Sequence, residues 1–224
     1  MNNWAVVGLT ALTATSVIAA EPKLDNDKSK FSYAIGVSIG RQIKGDGLDV
    51  DSAALTQAIT DMINGTPPRL KPEEMQAAVE NMQKKRNEQK QAMADKNLKS
   101  GKDFLAKNKK EKGVTELPNG MQYKVIKEGT GKQPKPTDTV SVHYRGTLIS
   151  GTVFDSSIDR GEPATFPLNG VIKGWQEILP MMKEGAKWQV FIPASLAYGE
   201  NGAGASIGPN ETLIFEIELL SVKS

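Results

Sequence analysis

The chain contains no cysteine and only one histidine, His143, among its 224 residues. Without cysteine, disulfides, thiolate nucleophiles and sulfur-ligated metals are excluded. A single histidine argues against a multi-histidine metal site and against a serine–histidine triad. The formal net charge of +2 is too small to indicate nucleic-acid binding. We therefore expect a protein that works without a metal, a cofactor or a nucleic-acid partner.

The first twenty residues form an apolar, small-residue stretch that ends in Val17-Ile18-Ala19-Ala20. This pattern predicts a signal peptide at 1–20, cleaved after Ala19 or Ala20, and hence an exported protein. A membrane anchor is the alternative, but the threonines in the stretch and its short length disfavour a stable spanning helix. We expect membrane contact to be peripheral at most.

Residues 21–70 have the pattern of two short amphipathic helices. The first has an apolar residue at every fourth position, and the second runs from Ser52, which can cap it, to the stop signal Asn64-Gly65. The stripe of the first helix consists of Phe31, Ile35, Ile39 and Ile43. Two helices of this size cannot bury their stripes on each other alone. We predict a helical dimerisation domain, with packing onto the rest of the same chain as the alternative.

A much longer helix is predicted within residues 71–112. It begins at Pro72, with Glu73 and Glu74 in the first turn, and runs to about Lys110. Its apolar stripe fades in the middle and returns at Leu98, Phe104 and Leu105. Because the middle is charged, it must stand largely in water. We interpret this helix as a connector between two working ends, and its basic excess as a solvated face rather than a polyanion-binding surface.

Residues 113–224 predict an α+β domain. Apolar and polar residues alternate over 121–125, 140–144, 188–192 and 213–219, as in half-buried antiparallel strands. One short helix interrupts them, from Val171 to about Leu179, with Pro180 closing it. The pattern predicts a curved antiparallel sheet wrapped around that helix.

Six aromatic residues lie between positions 144 and 215 of this domain. They form either an ordinary core or the lining of an apolar pocket, and periodicity alone does not separate the two. The six are Tyr144, Phe154, Phe166, Trp175, Tyr198 and Phe215.

A series of short motifs in the same domain closely resembles the FKBP-type peptidyl-prolyl isomerases, with the family's order and spacing. The motifs are Val142-His143-Tyr144-Arg145-Gly146, Val153-Phe154-Asp155-Ser156-Ser157, Val171-Ile172-Lys173-Gly174-Trp175, Ala197-Tyr198-Gly199 and Asn210-Glu211-Thr212-Leu213-Ile214-Phe215. Residues 32–36, the long helix and residues 117–123 are similar to the macrophage infectivity potentiator branch of that family.

The resemblance implies a fold, an activity and a setting. It implies an FKBP-like sheet, rotation of Xaa-Pro bonds in proline-containing polypeptides, and folding-helper activity. Proteins of that branch are exported V-shaped homodimers joined through their N-terminal helices, which implies the bacterial periplasm or the outer membrane and cell surface. It also implies inhibition by macrolides of the tacrolimus and rapamycin type.

The resemblance also implies the roles of individual residues. Trp175 forms the floor of the pocket, while Asp155 and Tyr198 act in catalysis and Arg160 orients Asp155. The Ile172 backbone N–H donates to a substrate carbonyl. The remaining substrate-binding positions, walls and rim, are Tyr144, Phe154, Phe166, Val171, Ile172, Ile207 and Phe215.

Some residues of the domain depart from the family pattern or lie outside the predicted pocket. Ala164 stands where a pocket aromatic is often found, and the loop 200–208 is rich in glycine and lacks histidine, which affects the predicted ligand preference more than catalysis. His143 precedes Tyr144 on a strand and so faces away from the pocket.

The alternative functions are a proline-segment-binding chaperone or host-surface adhesin with incidental catalysis, and a structural spacer.

Overall fold

The computed structural model describes residues 23–223, so the predicted signal peptide at 1–20 lies outside the described residues. The chain divides into two compact units between Leu55 and Thr56. None of the helices within residues 23–223 combines the length and apolar content needed to cross a membrane.

Helix α1, Asp27–Gly45, belongs to the first unit and begins with a capping box. The Ser29 amide donates to the Asn26 side chain at 2.9 Å, which satisfies an amide that the helix itself leaves unpaired. Its predicted stripe is largely in solvent, because Phe31, Ile35 and Ile39 are 68%, 47% and 38% exposed. This helix therefore carries an apolar face that its own unit does not bury.

Helix α2, Ser52–Ile63, follows as predicted, but its cap differs from the prediction. The side chain of Asp51 accepts hydrogen bonds from the amides of Ala53 and Ala54, at 2.9 and 3.0 Å. Asp51 is thus the capping residue, because its carboxylate reaches two unpaired amides at once. The helix ends at Ile63 and is followed by the predicted Asn64-Gly65 signal, in which Gly65 has a φ of 71°.

Helix α3, Pro72–Asn108, has 37 residues and begins at the predicted proline. At 1.5 Å per residue it is about 56 Å long. The carboxylate of Glu74 accepts from the Lys71 amide at 2.8 Å and closes its first turn. Residues 72–93 are exposed, and burial begins only at Ala94.

The final turns of α3 pack against the C-terminal domain through a face that the apolar pattern predicted only in part, at Phe104 and Leu105. Leu98, assigned to the returning stripe, is 40% exposed. The buried and partly buried residues on this face recur at helical spacing and are mostly small or polar: Ala94, Asn97, Gly101, Phe104, Leu105 and Asn108. Phe104 lies 5.9 Å from the ring of Phe191 between centroids, and Asn108 donates to Gln122 at 2.9 Å.

The sheet has seven strands, all paired antiparallel, in the order β1-β2-β6-β7-β3-β4, with β5 also on β3. The strands are β1 Val114–Glu116, β2 Gln122–Lys127, β3 Thr139–Leu148, β4 Val153–Ser156, β5 Ala164–Pro167, β6 Lys187–Ile192 and β7 Leu213–Lys223. Strand β3 pairs with β7 along one edge and with β4 and β5 along the other. It is therefore the central support of the domain.

Two short helices complete the domain, α4 at Ser157–Arg160 and α5 at Lys173–Ile178. The predicted helix from Val171 to Leu179 is real but shorter, because 3₁₀ turns at Leu168–Gly170 and Leu179–Met181 flank it. Pro180 lies inside the second turn rather than directly closing the helix. The predicted α+β fold, with N-terminal helices and a C-terminal antiparallel sheet, is confirmed.

The core lies between the inner face of the sheet and α5. Alternate residues of β3, β6 and β7 are buried, in keeping with the period of two along a strand. The strand residues of this core cluster are Val140, Val142, Tyr144, Trp188, Val190, Ile192, Leu213, Phe215, Ile217 and Leu219, and α5 contributes Trp175 and Ile178.

Candidate functional site

A cavity of about 280 Å³ opens where α5 meets the inner face of β3 and β7. Nine of the eleven residues assigned to the site from the sequence line it. The lining consists of Tyr144, Phe154, Asp155, Phe166, Gly170, Val171, Ile172, Trp175, Tyr198 and Phe215. The aromatic set therefore surrounds an open space instead of filling it.

Trp175 lies at the centre of the aromatic rings. Its indole meets Tyr144, Phe166 and Phe215 edge to face, with centroids 5.3, 5.8 and 5.2 Å apart and interplanar angles of 86°, 85° and 75°. Edge-to-face pairs are favoured because the positive edge of one ring meets the negative face of the other. The indole is 4% exposed, so these contacts fix a rigid apolar surface.

One wall depends on a glycine that the sequence interpretation did not single out. A Cβ atom at Gly146 would lie 2.5 Å from Phe154 and 2.9 Å from Phe215. Without that atom, the two rings meet at 85° with centroids 5.5 Å apart. The absence of a side chain at Gly146 on β3 therefore allows the rings of Phe154 and Phe215 to pack against each other there.

The charged group of the cavity is the carboxylate of Asp155, which is held by two donors. The Tyr144 hydroxyl donates to one of its oxygens, and the Arg160 guanidinium donates to the other. Arg160 also donates to the Tyr144 hydroxyl at 3.0 Å. Its guanidinium carbon lies 5.7 Å from the centre of the Tyr144 ring. The three side chains form a closed network at the rim.

The network keeps Asp155 ionised. Burial alone would raise the pKa of Asp155, but hydrogen bonds from Tyr144 and Arg160 outweigh it and lower this pKa below its ordinary value. Burial, followed by the bond to Asp155, raises the pKa of Tyr144, so its hydroxyl keeps its proton. The bonds to Tyr144 and Asp155 raise the pKa of the Arg160 guanidinium. The site thus presents a stable negative charge beside an apolar surface.

Tyr198 lines the cavity from a different part of the chain. It is the residue directly before the 3₁₀ turn Gly199–Asn201. Its side chain is 41% exposed, and its hydroxyl makes no hydrogen bond to another residue of the described chain. It is therefore available to a ligand. The backbone amide of Ile172, at the start of α5, likewise has no acceptor among residues 23–223.

Two predicted site residues lie outside the lining. Arg160 reaches the site only through Asp155 and Tyr144. Ile207 is 8% exposed and packs in the core, where its backbone pairs with Ala203. His143 is half-buried, and its Nδ1 lies 3.2 Å from the Ser157 hydroxyl.

The arrangement has little to offer a metal ion. Within residues 23–223, no group of three or more histidine and acidic side chains is placed to hold one. An open apolar cavity with one fixed carboxylate and two free donors instead suits a ligand with an apolar ring and adjacent carbonyls.

Residues 130–220 match the family model described as FKBP-type peptidyl-prolyl cis-trans isomerase. Residues 28–125 match the model of the domain amino terminal to that isomerase. The chain is 44% identical to the outer membrane protein MIP of Legionella longbeachae, over 98% of this chain and 95% of the relative. This protein is an FKBP-type peptidyl-prolyl cis-trans isomerase.

Other relatives of the isomerase support the same assignment. It is 44% identical to the peptidyl-prolyl cis-trans isomerase Mip of Coxiella burnetii, over 97% of this chain and 95% of that one. The crystal structure of FkpA from Escherichia coli matches with a TM-score of 0.63 at 38% identity, covering 89% of this chain and 98% of that chain. The predicted membership of the Mip branch is confirmed.

The isomerase site contains a lining residue that the motifs did not indicate. Gly170 ends the 3₁₀ turn before Val171 and lines the cavity beside it. The only signal in the sequence was the Asn-Gly pair, which predicts a turn but not an orientation toward the pocket.

Proposed function

We propose that this isomerase accelerates Xaa-Pro rotation by binding the half-rotated imide more tightly than either planar isomer. The barrier of about 18–20 kcal/mol arises because the amide loses its resonance when it twists. No covalent step is needed, since catalysis requires only stronger binding of the transition state than of the ground state. An apolar cavity favours the twisted form because the planar, charge-separated form loses more on leaving water.

The lining residues have separate roles in this proposal. The prolyl ring lies on the Trp175 indole, between the walls formed by Tyr144 and the phenylalanines. The Asp155 carboxylate faces the carbon of the twisting carbonyl, and the Tyr198 hydroxyl donates to a substrate carbonyl. The Ile172 amide donates to a second carbonyl, on the far side of the proline. The supporting observation is that the carboxylate is held ionised at the edge of an open aromatic cavity.

Isomerisation of an Xaa-Pro tetrapeptide by the wild type, Asp155→Ala and Tyr198→Phe tests these roles. Loss of one hydrogen bond or charge in the transition state predicts a decrease in kcat/KM of roughly tenfold for each variant. Ser150→Ala is a control, because that hydroxyl lies in the exposed turn between β3 and β4. Three equal rates would contradict the assigned roles.

We further propose that the isomerase is a homodimer joined through its N-terminal helices. The exposed stripe of α1 supports this, since a helix buries such a face against a partner. A Cβ at Gly36 or Gly40 would meet nothing within 4 Å, so a second backbone can approach there. Light scattering should give twice the chain mass for the wild type and for Lys30→Glu, and a single chain mass for Ile35→Glu. A single chain mass for the wild type would contradict the dimer, and a dimer mass for Ile35→Glu would contradict its assembly through the stripe of α1.

We propose, finally, that the protein is exported to the bacterial periplasm or outer membrane, where it helps proline-containing proteins to fold. The name of the Legionella relative, an outer membrane protein, supports this location. Cell fractionation should recover the chain shortened after Ala19 or Ala20 in the envelope fraction. Recovery of the full chain in the cytoplasm would contradict export.

Macrolides of the tacrolimus and rapamycin type should compete with peptide for the cavity.

A further inference from the structure

The turn that carries Tyr198 is tied to one neighbouring segment. The carbonyl of Gly199 accepts from the backbone amide of Asn210 at 2.8 Å. Asn210 has a φ of 54°, the one positive value at a non-glycine residue within residues 23–223. Asparagine enters this left-handed region more readily than most residues with a Cβ atom, so the residue suits the turn. Through its amide, the position of Asn210 helps to fix the carbonyl next to Tyr198.

The stretch between these two residues supplies that support only in part. It is rich in glycine, with positive φ at Gly202 and Gly204, and glycine leaves the backbone its greatest conformational freedom. Its one residue in the hydrophobic core is Ile207. Its one internal pairing is the short bridge between Ala203 and Ile207. Because the Tyr198 hydroxyl has no hydrogen-bond partner in the described chain, its position depends on the backbone of the turn and on the rotamer of the ring.

Helix α3 supplies the support. The side-chain amide of Asn97 donates to the carbonyl of Pro209 at 2.9 Å, across 112 positions of sequence. The Asn210 side chain lies 3.5 Å from the carbonyl of Ala94, at the long limit for a hydrogen bond. One helical turn further along α3, Gly101 lies against Thr212 so closely that a Cβ atom would be 2.3 Å from its hydroxyl. Residues 209–212 therefore lie directly on α3.

We infer that Asn97 is a positioning residue for catalysis, which acts on the rate through the Tyr198 hydroxyl. The connection runs from the Asn97 side chain to the Pro209 carbonyl, and from the Asn210 amide to Gly199, the residue after Tyr198. Asparagine forms helices less readily than alanine, so its place inside α3 is consistent with a tertiary role. The inference rests on the proposed role of Tyr198, and it makes the connecting helix part of the support of the site.

A double-mutant cycle on the full chain tests the inference. The kcat/KM for an Xaa-Pro tetrapeptide is measured for the wild type, Asn97→Ala, Tyr198→Phe and the double variant. Loss of one part-buried hydrogen bond predicts a roughly threefold to tenfold decrease for Asn97→Ala alone. In the Tyr198→Phe background the same change should have an effect of less than about twofold, because the group it positions is already absent.

Two further variants separate the hydrogen bond from packing and charge. Asn97→Asp keeps the side-chain shape but replaces the donor with an acceptor, so its kcat/KM should fall at least as far as that of Asn97→Ala. Gln89→Ala and Gln89→Glu make matched changes at an exposed position of the same helix and should leave the rate unchanged. Exchange of the Asn210 amide with solvent should be faster in Asn97→Ala, while that of Val190 in the sheet is unchanged.

The other outcomes overturn the inference in distinguishable ways. An equal decrease for Asn97→Ala in both backgrounds means that it acts without Tyr198. A normal rate for Asn97→Ala beside a slow Tyr198→Phe overturns the positioning role but leaves the proposed function intact. A normal rate for Tyr198→Phe contradicts the proposed role of Tyr198, and the inference with it.

Discussion

The indole of Trp175 meets the ring of Tyr144 edge to face, at 86° and with centroids 5.3 Å apart. The first residue comes from α5 and the second from β3, so this contact joins the helix to the centre of the sheet. Tyr144 then passes the connection on, because its hydroxyl donates to Asp155. The apolar floor and the charged rim of the cavity are thereby built on one side chain, Tyr144.

Replacing Trp175 with phenylalanine should impair catalysis more than a matched change elsewhere. Trp175 and Trp188 are both buried, and each has an indole N–H without an acceptor in the described chain. Trp188 stacks on Tyr123, at 4.6 Å between centroids, and is not a lining residue. Both substitutions should lower the free energy of unfolding by about 1–3 kcal/mol. Only Trp175→Phe should also lower kcat/KM, by roughly tenfold. Equal kcat/KM values would show that the indole is merely structural.

The Arg160→Met substitution should raise the pKa of Asp155. In the folded protein this pKa lies below the ordinary value of 3.8, so the ionised network stabilises the fold above that value. Its contribution is lost as pH falls through the depressed pKa. Because the Asp155 carboxylate stays ionised well above this pKa, wild-type kcat/KM should be constant between about pH 5 and pH 8. Without Arg160, the raising effect of burial is opposed chiefly by Tyr144, and carboxyl NMR titration should detect the upward shift. Arg145→Met, at an exposed residue of β3, should not change the titration.

Adding a methyl group at Gly146 should disrupt one wall of the cavity. The new Cβ would lie 2.5 Å from Phe154, so one of the two rings must move. Overpacking of this kind costs about 1–3 kcal/mol of the free energy of unfolding, and kcat/KM should fall with it. The cost should be smaller in a Phe154→Leu background, where space is available. Denaturant unfolding of all four proteins measures this difference, and strictly additive costs would contradict the proposed clash.

Adding a methyl group at Gly101 should separate α3 from the segment that follows the glycine-rich loop. The Cβ atom would lie 2.3 Å from the Thr212 hydroxyl, and no hydrogen-bonding group is removed. Gly101→Ala should lower the free energy of unfolding by about 1–3 kcal/mol and slow the isomerase. Thr212→Ala removes the hydroxyl, so the double variant should regain part of both losses. If the double variant is no better than Gly101→Ala alone, the contact is not the cause.

Much of the fold followed from periodicity, and the exceptions share a physical cause. Strands β3, β6 and β7 and the start of α3 lie where alternation and the Pro72-Glu73-Glu74 signal place them. The packing face of α3 was predicted only at Phe104 and Leu105, because Asn97, Gly101 and Asn108 are not apolar and no local pattern indicates their contacts. The role of Gly146 could not be predicted for a related reason, because only the folded sheet brings the rings of Phe154 and Phe215 beside it.

The amino-acid sequence alone was enough to indicate the class of chemistry. The absence of cysteine excluded thiolate chemistry, the single histidine argued against a multi-histidine metal site, and the order of the motifs carried the resemblance to the isomerases. Whether the aromatic residues would fill a core or enclose a cavity was decided only by the tertiary structure. Alternation buries Tyr144 and Phe215 in either case. The open space exists because α5, β3 and β7 meet at distances and angles set by packing, which no local pattern encodes.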